Sequence, residues 1–187
     1  MYRKKETVKM INSDFYAEYL VARKTDGVTM VKKGLTGIAG AAVAAIFFLF
    51  FFAMFPLNLA GVALIFYLTY LLMTNLDVEY EYILTNGEMD VDKIMGKRKR
   101  KRLVTAPIGD LTAFGKLSDA PEEADGCTTV RADSGTGEGT YFADFVHKSV
   151  GNVRIIFTPS EKILDGMELF LPRQLKAEFK KNRAKNV

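Results

Sequence analysis

From Gly34 to Leu76 the chain carries no Asp, Glu, Lys, Arg or His, a run of 43 residues. One membrane span takes roughly 20 apolar residues. The run therefore predicts two spans and a tight turn between them. The first is expected over 35–55, "LTGIAGAAVAAIFFLFFFAMF", and the second over 57–76, "LNLAGVALIFYLTYLLMTNL". Pro56 and Asn58 supply the turn chemistry. An amphipathic stretch precedes the run, so it does not read as a cleaved signal sequence. A domain of this size cannot bury so much Phe and Leu within itself.

Orientation follows from the basic residues. Eight precede Gly34 (Arg3, Lys4, Lys5, Lys9, Arg23, Lys24, Lys32 and Lys33), and Lys93 and "KRKRKR" (97–102) follow the run. The turn between the spans is uncharged, so positive-inside bias places both flanks in the cytoplasm. The expectation is a multi-pass protein of the inner membrane. Cys127 is the single cysteine, which leaves no intrachain disulfide.

Residues 1–33 are expected to form an amphipathic cytoplasmic segment. Ser13 would cap a helix carrying Phe15, Tyr19 and Leu20, with Asp26 and Gly27 ending it. That helix would lie on the inner leaflet or pack on the soluble domain. Within the first span, Gly37, Ala41 and Ala45 recur every four residues, a face on which helices approach closely. It suits packing against the second span and leaves homo-oligomer formation open.

Beyond Asp77 the periodicity changes to two. "DVEYEYIL" alternates Val78, Tyr80, Tyr82 and Leu84 with Glu79 and Glu81, the pattern of a half-buried strand. Asn86-Gly87 is a strong hairpin signal. "EMDVDKIM" returns with Met89 and Val91 inward, and Gly96-Lys97 starts a second turn into "RKRLVTAP". "DLTAFG", "TTVRADS", "TYFADFVH" and "NVRIIFTP" are further short strands, the last with Val153, Ile155 and Phe157 alternating. "SEKILDGMELFLP" has the helical pattern of Ile163, Leu164, Met167 and Phe170, capped by Ser160. The 173–187 tail is basic. About seven antiparallel strands closed by one helix predict an α+β domain over 77–172, a small curved sheet or β-barrel plugged by a helix.

"EYEYILTNGEMDVDKIMGKRKRKRL" and "RIIFTPSEKILDGMEL" resemble the opening hairpin and the last strand and helix of bacterial pleckstrin-homology-like (PH-like) domain proteins that carry a two-helix membrane hairpin. The resemblance covers roughly 77–172 and the hairpin. It implies a PH-like fold and brings no catalytic residues and no cofactor.

The basic run is the candidate site. Residues 77–187 hold 18 basic and 18 acidic side chains, and 93–102 hold seven of the basic and none of the acidic. The domain is polarised rather than basic, which argues against nucleic acid. A strand leaving the membrane at Asp77 and returning through the Asn86-Gly87 turn brings Lys97, Arg98, Lys99, Arg100, Lys101 and Arg102 back towards the bilayer. There they would contact anionic headgroups, each worth roughly 1 kcal/mol near the surface. As a solvated edge, the same run would discourage strand-to-strand aggregation.

The other chemistry-bearing residues form no site. "GTGEG" (135–139) lacks the spacing of a phosphate-binding P-loop and reads as a hairpin loop. Cys127 and His147 have no evident orienting partner for nucleophilic work. Glu79/Glu81 and Asp90/Asp92 are expected on solvent faces of strands, and Glu122, Glu123 and Asp125 in a loop, with no metal cage. The expected function is non-enzymatic: a membrane protein whose PH-like domain recruits a protein partner or contacts headgroups. The alternative is an accessory subunit of a transporter or envelope complex acting through its hairpin.

Overall fold

The computed structural model describes residues 15–184. The chain opens with strand β1 (Tyr16–Ala22) and continues into helix α1 (Gly27–Phe50). Helix α2 (Asn58–Thr74) leads into strands β2 (Val78–Thr85), β3 (Glu88–Met95) and β4 (Lys99–Pro107). Strands β5 (Ala113–Lys116), β6 (Thr128–Ala132), β7 (Tyr141–His147) and β8 (Gly151–Phe157) follow. Helices α3 (Glu161–Phe170) and α4 (Arg173–Ala184) close the fold.

The eight strands form two four-stranded sheets, sheet A in the order β1-β2-β3-β4 and sheet B in the order β5-β7-β8-β6. They do not close into the expected barrel. Tyr82, Leu84, Met89, Val91, Ile155 and Phe157 are fully or almost fully buried between them, with Ile163, Leu164 and Met167 of α3 plugging the same core. Ser160 caps α3 as expected, its hydroxyl accepting the Ile163 amide at 3.3 Å. Phe170 sits at the margin, edge-on to Phe15. Tyr82 ties the sheets together: its hydroxyl donates to the Ala132 carbonyl and accepts from the Thr158 amide.

The segment expected as a helix carrying Phe15, Tyr19 and Leu20 is strand β1, with Tyr19 opposite Tyr82 and Val21 opposite Tyr80. Ser13 lies outside the described residues. A spacing of four is also a multiple of two, so Phe15 and Tyr19 satisfied both periods. Within β1 only Ala17 and Val21 are buried, and Tyr19 between them on the same face stays exposed. Asp26 and Gly27 begin α1 instead of ending a helix.

β1 and β2 are antiparallel neighbours, and the Arg23 amide still donates to the Val78 carbonyl at 3.0 Å. The two apolar helices are thus an insertion into the turn of a β-hairpin. α1 has 24 residues and is long and apolar enough to cross a membrane. The second apolar helix runs over 58–74 rather than 57–76, 17 residues in all.

The helices pack antiparallel through small residues, since Gly37 faces Met73, Gly40 faces Thr69, and Gly61 faces Phe47. Ala44 is the buried alanine of this seam, whereas Ala41 and Ala45 are exposed. The seam therefore includes Gly37 but not the other two members of the expected repeat. At 3.6 residues per turn, four steps advance about 400°, so a strict i+4 series drifts off the contact face.

Sheet B departs from an all-antiparallel plan. β6 pairs in parallel with β8, which lies between β6 and β7. "GTGEG" consequently belongs to a crossover rather than a hairpin. Gly135, Gly137 and Gly139 all have φ between 62° and 78°, the left-handed region that glycine enters without a Cβ penalty. The basic tail is helical to Ala184. Phe179 is buried against Phe114, with ring centroids 5.2 Å apart. Arg183 reaches Glu161, and Asp165 at 2.6 Å, clamping α4 to α3.

Candidate functional site

Residues 97–102 occupy the β3–β4 turn and the start of β4. Gly96 and Lys97 both take left-handed backbone, with φ of 57° and 56°. The Gly96 amide donates to the Asp77 carbonyl at 2.9 Å. A Cβ at Gly96 would meet the Asn75 side chain at 2.8 Å, so only glycine lets the turn seat on the end of α2. The Arg98 guanidinium points back to the same helix end, with the Asn75 side-chain oxygen at 3.4 Å. Lys33 of α1 pairs with Asp77 at 2.5 Å. The turn therefore lies at the foot of the helical hairpin.

The run divides by strand alternation. Arg100 and Arg102 turn to the outer face of sheet A. Arg100 pairs with Glu81 at 2.6 Å, and Arg102 pairs with Asp92, and with Asp90 at 2.6 Å. Thr105 donates to Asp90 at 2.6 Å. Glu81 and Asp92, expected on a solvent face, are 3% and 2% exposed because the arginines lie over them. Burial pushes the Glu81 carboxyl above the usual glutamate value, Arg100 pulls it back only in part, and neighbouring Glu18 pushes the same way as burial. Glu18 itself is held low, chiefly by the Tyr16 hydroxyl, which donates to it at 2.5 Å.

Lys97, Lys99 and Lys101 are exposed and have no acidic partner within ion-pair distance among the described residues. With Arg98 they form the accessible part of the run. Lys24 and Lys32 are further exposed cations at this end of the hairpin, lining a separate cleft of about 290 Å³ between the β1–α1 link and Leu76–Val78. Sequence reasoning on the run alone missed these two. Their signal was position, since both flank the start of the uncharged stretch.

The remaining candidates stay apart from the rim. His147 accepts the Ser149 amide at 3.2 Å within the β7–β8 turn. Cys127 is half-buried just before β6. No group of three metal-ligating side chains occurs among the described residues.

No curated protein and no solved structure matches this chain. A family model does match, over residues 13–177, and its span takes in β1, both apolar helices, both sheets, α3 and the start of α4. With the two sheets and their helical plug in place, the chain belongs to that family, the bacterial PH-like domain family DUF6106.

Proposed function

We propose that the protein is a membrane-anchored PH-like module. Its helical hairpin crosses the bilayer twice, and its basic rim rests on anionic headgroups of the cytoplasmic leaflet. The observation that carries this reading is the hairpin's surface: Ile38, Leu49, Leu64 and Leu72 are each more than half exposed, with no charge between Gly34 and Leu76 to interrupt them. Such a surface has no stable place in water. From Gly34 to Phe50, and along α2, each limb rises about 26 Å at 1.5 Å per residue. The 51–57 link supplies the remainder of a hydrocarbon core about 30 Å thick. Exposed Tyr70 lies one turn from the foot of α2, at the level where tyrosines favour the interface.

Lys97, Arg98, Lys99 and Lys101 supply the headgroup contact, and the domain so positioned presents its remaining surface to protein partners. Arg100 and Arg102 are structural in this reading, since their charge is spent on Glu81, Asp90 and Asp92.

The contact is testable on a soluble form. Because Arg23 and Val78 are hydrogen-bonded neighbours, residues 24–77 can be replaced by an Asn-Gly turn. This form is expected to float with anionic vesicles, weakly with neutral ones, and to be released by ~0.5 M salt, where the screening length is only a few Å. Substituting Gln for Lys97, Arg98, Lys99 and Lys101 should remove most of the binding. Equal flotation of parent and Gln variant would assign the rim no lipid role.

A further inference from the structure

The geometry points to a second recognition surface: the free edge of β5 is a docking groove for an extended, basic peptide segment that joins sheet B as an added strand. β5 is an outer strand, paired on one side to β7 and on the other to no strand among the described residues. An edge of this kind presents unpaired main-chain donors and acceptors, and proteins ordinarily blunt it with lysines, prolines or a covering element. Here Lys116 stands at one end of the edge and α4 lies alongside it, with Phe179 against Phe114, which leaves a groove rather than a bare edge. Ala113 and Gly115 form the floor of a groove of about 360 Å³. Asp119 and Pro121 stand on one wall, and Gln174 and Glu178, one helical turn apart on α4, stand on the other.

Two features select the occupant. The floor is a four-residue strand, roughly 13 Å long, which matches an extended backbone and not a helix about 10 Å across. The charge within the groove is one-sided, since Asp119 and Glu178 are exposed carboxylates contributed by different elements, and the nearest cation on the strand, Lys116, ends β5 outside the lining. A strand whose alternate side chains are basic would pair its main chain with β5 and place its cations between the two carboxylates. The walls are held in place for this. Phe179 and Arg183 fix α4, while Arg154 grips Asp144 at 2.7 Å and the Pro121 carbonyl at 2.8 Å, anchoring the loop that carries Asp119. Gly115 keeps the floor open, for a Cβ there would press on Phe142 at 3.3 Å.

The test uses the full chain in uncharged detergent and a fluorescent peptide of nine residues alternating threonine and lysine. Fluorescence anisotropy is expected to show saturable binding. An alternating threonine–glutamate peptide should not bind, and N-methylation along one edge of the basic peptide should abolish binding. Charge reversal by Asp119→Lys with Glu178→Lys should weaken it about ten-fold or more at 0.1 M salt. If reversal shifts the melting temperature, Asp119→Asn with Glu178→Gln is the milder pair and should weaken binding in the same direction. Absence of saturable binding, equal binding of the glutamate peptide, or indifference to N-methylation or to both variant pairs would overturn the proposal. So would a chain dimeric in detergent that becomes monomeric on charge reversal, an outcome that gives the groove to a second copy.

Discussion

Glu81 shows how a single residue escapes a pattern that is otherwise sound. Alternation along β2 assigned it to the outer face, and it does lie there. Outer, however, does not mean solvated, because Arg100 and Arg102 fold down over the carboxylates of β2 and β3. Burial then raises its proton affinity in the folded state. A carboxyl with a raised folded-state pKa adds stability below its unfolded pKa, and that contribution is lost as pH climbs through the raised value. The Glu81 contribution should therefore fall with pH above the ordinary glutamate range. Glu81→Gln removes the titrating group, so its melting temperature in detergent should fall less than the parent's between about pH 4 and 7. Parallel melting profiles for the two proteins would show that Glu81 titrates alike in folded and unfolded chains.

At the scale of elements, the small residues of α1 make a sharp test of which face meets α2. Any side chain at Gly40 would run into Thr69, whereas Ala41 and Ala45 face away. Gly40→Leu should cost about 1–3 kcal/mol of hairpin packing, the usual range for overfilling a close contact. Ala41→Leu and Ala45→Leu should leave the melting temperature of the full chain in detergent within a degree or two of the parent. Equal losses at all three would contradict the seam. The same elements show what the sequence made legible. β2, β3 and α3 were readable because one periodicity, one turn signal and one cap agreed along each, as with Asn86-Gly87 and Ser160. β1 was not, because Phe15 and Tyr19 fit two periods and the strand's partner lies 50 and more residues away, beyond the apolar helices. The parallel β6–β8 pair was hidden for a related reason. A glycine-rich loop permits a reversal and a crossover alike, and only the packing of β8 between its neighbours chooses. The basic run was found from its charge, but its division into Lys97, Lys99 and Lys101 against Arg100 and Arg102 depended on acids from β2 and β3.

The whole molecule is a PH-like domain with two apolar helices let into its first β-hairpin, and this insertion makes a topological prediction firmer than charge bias alone. β1 and β2 hydrogen-bond along their whole lengths, so the segments before α1 and after α2 must lie on the same side of any membrane the helices enter. An odd number of crossings between them is excluded by that pairing. With basic residues on both flanks and none at the 51–57 link, positive-inside bias predicts that this shared side is the cytoplasm. In a chain with Cys127→Ser, a cysteine replacing Ser118 in the domain should resist an impermeant thiol reagent in intact cells and react once the cells are opened. A cysteine replacing Phe52 or Leu57 at the link should react, or resist only through shallow burial at the far interface. Labelling of Ser118→Cys in intact cells would invert the orientation and take the rim of Lys97, Arg98, Lys99 and Lys101 away from the anionic leaflet. Recovery of the full chain from the soluble fraction, without detergent, would remove the membrane altogether and require a protein partner to cover Ile38, Leu49, Leu64 and Leu72.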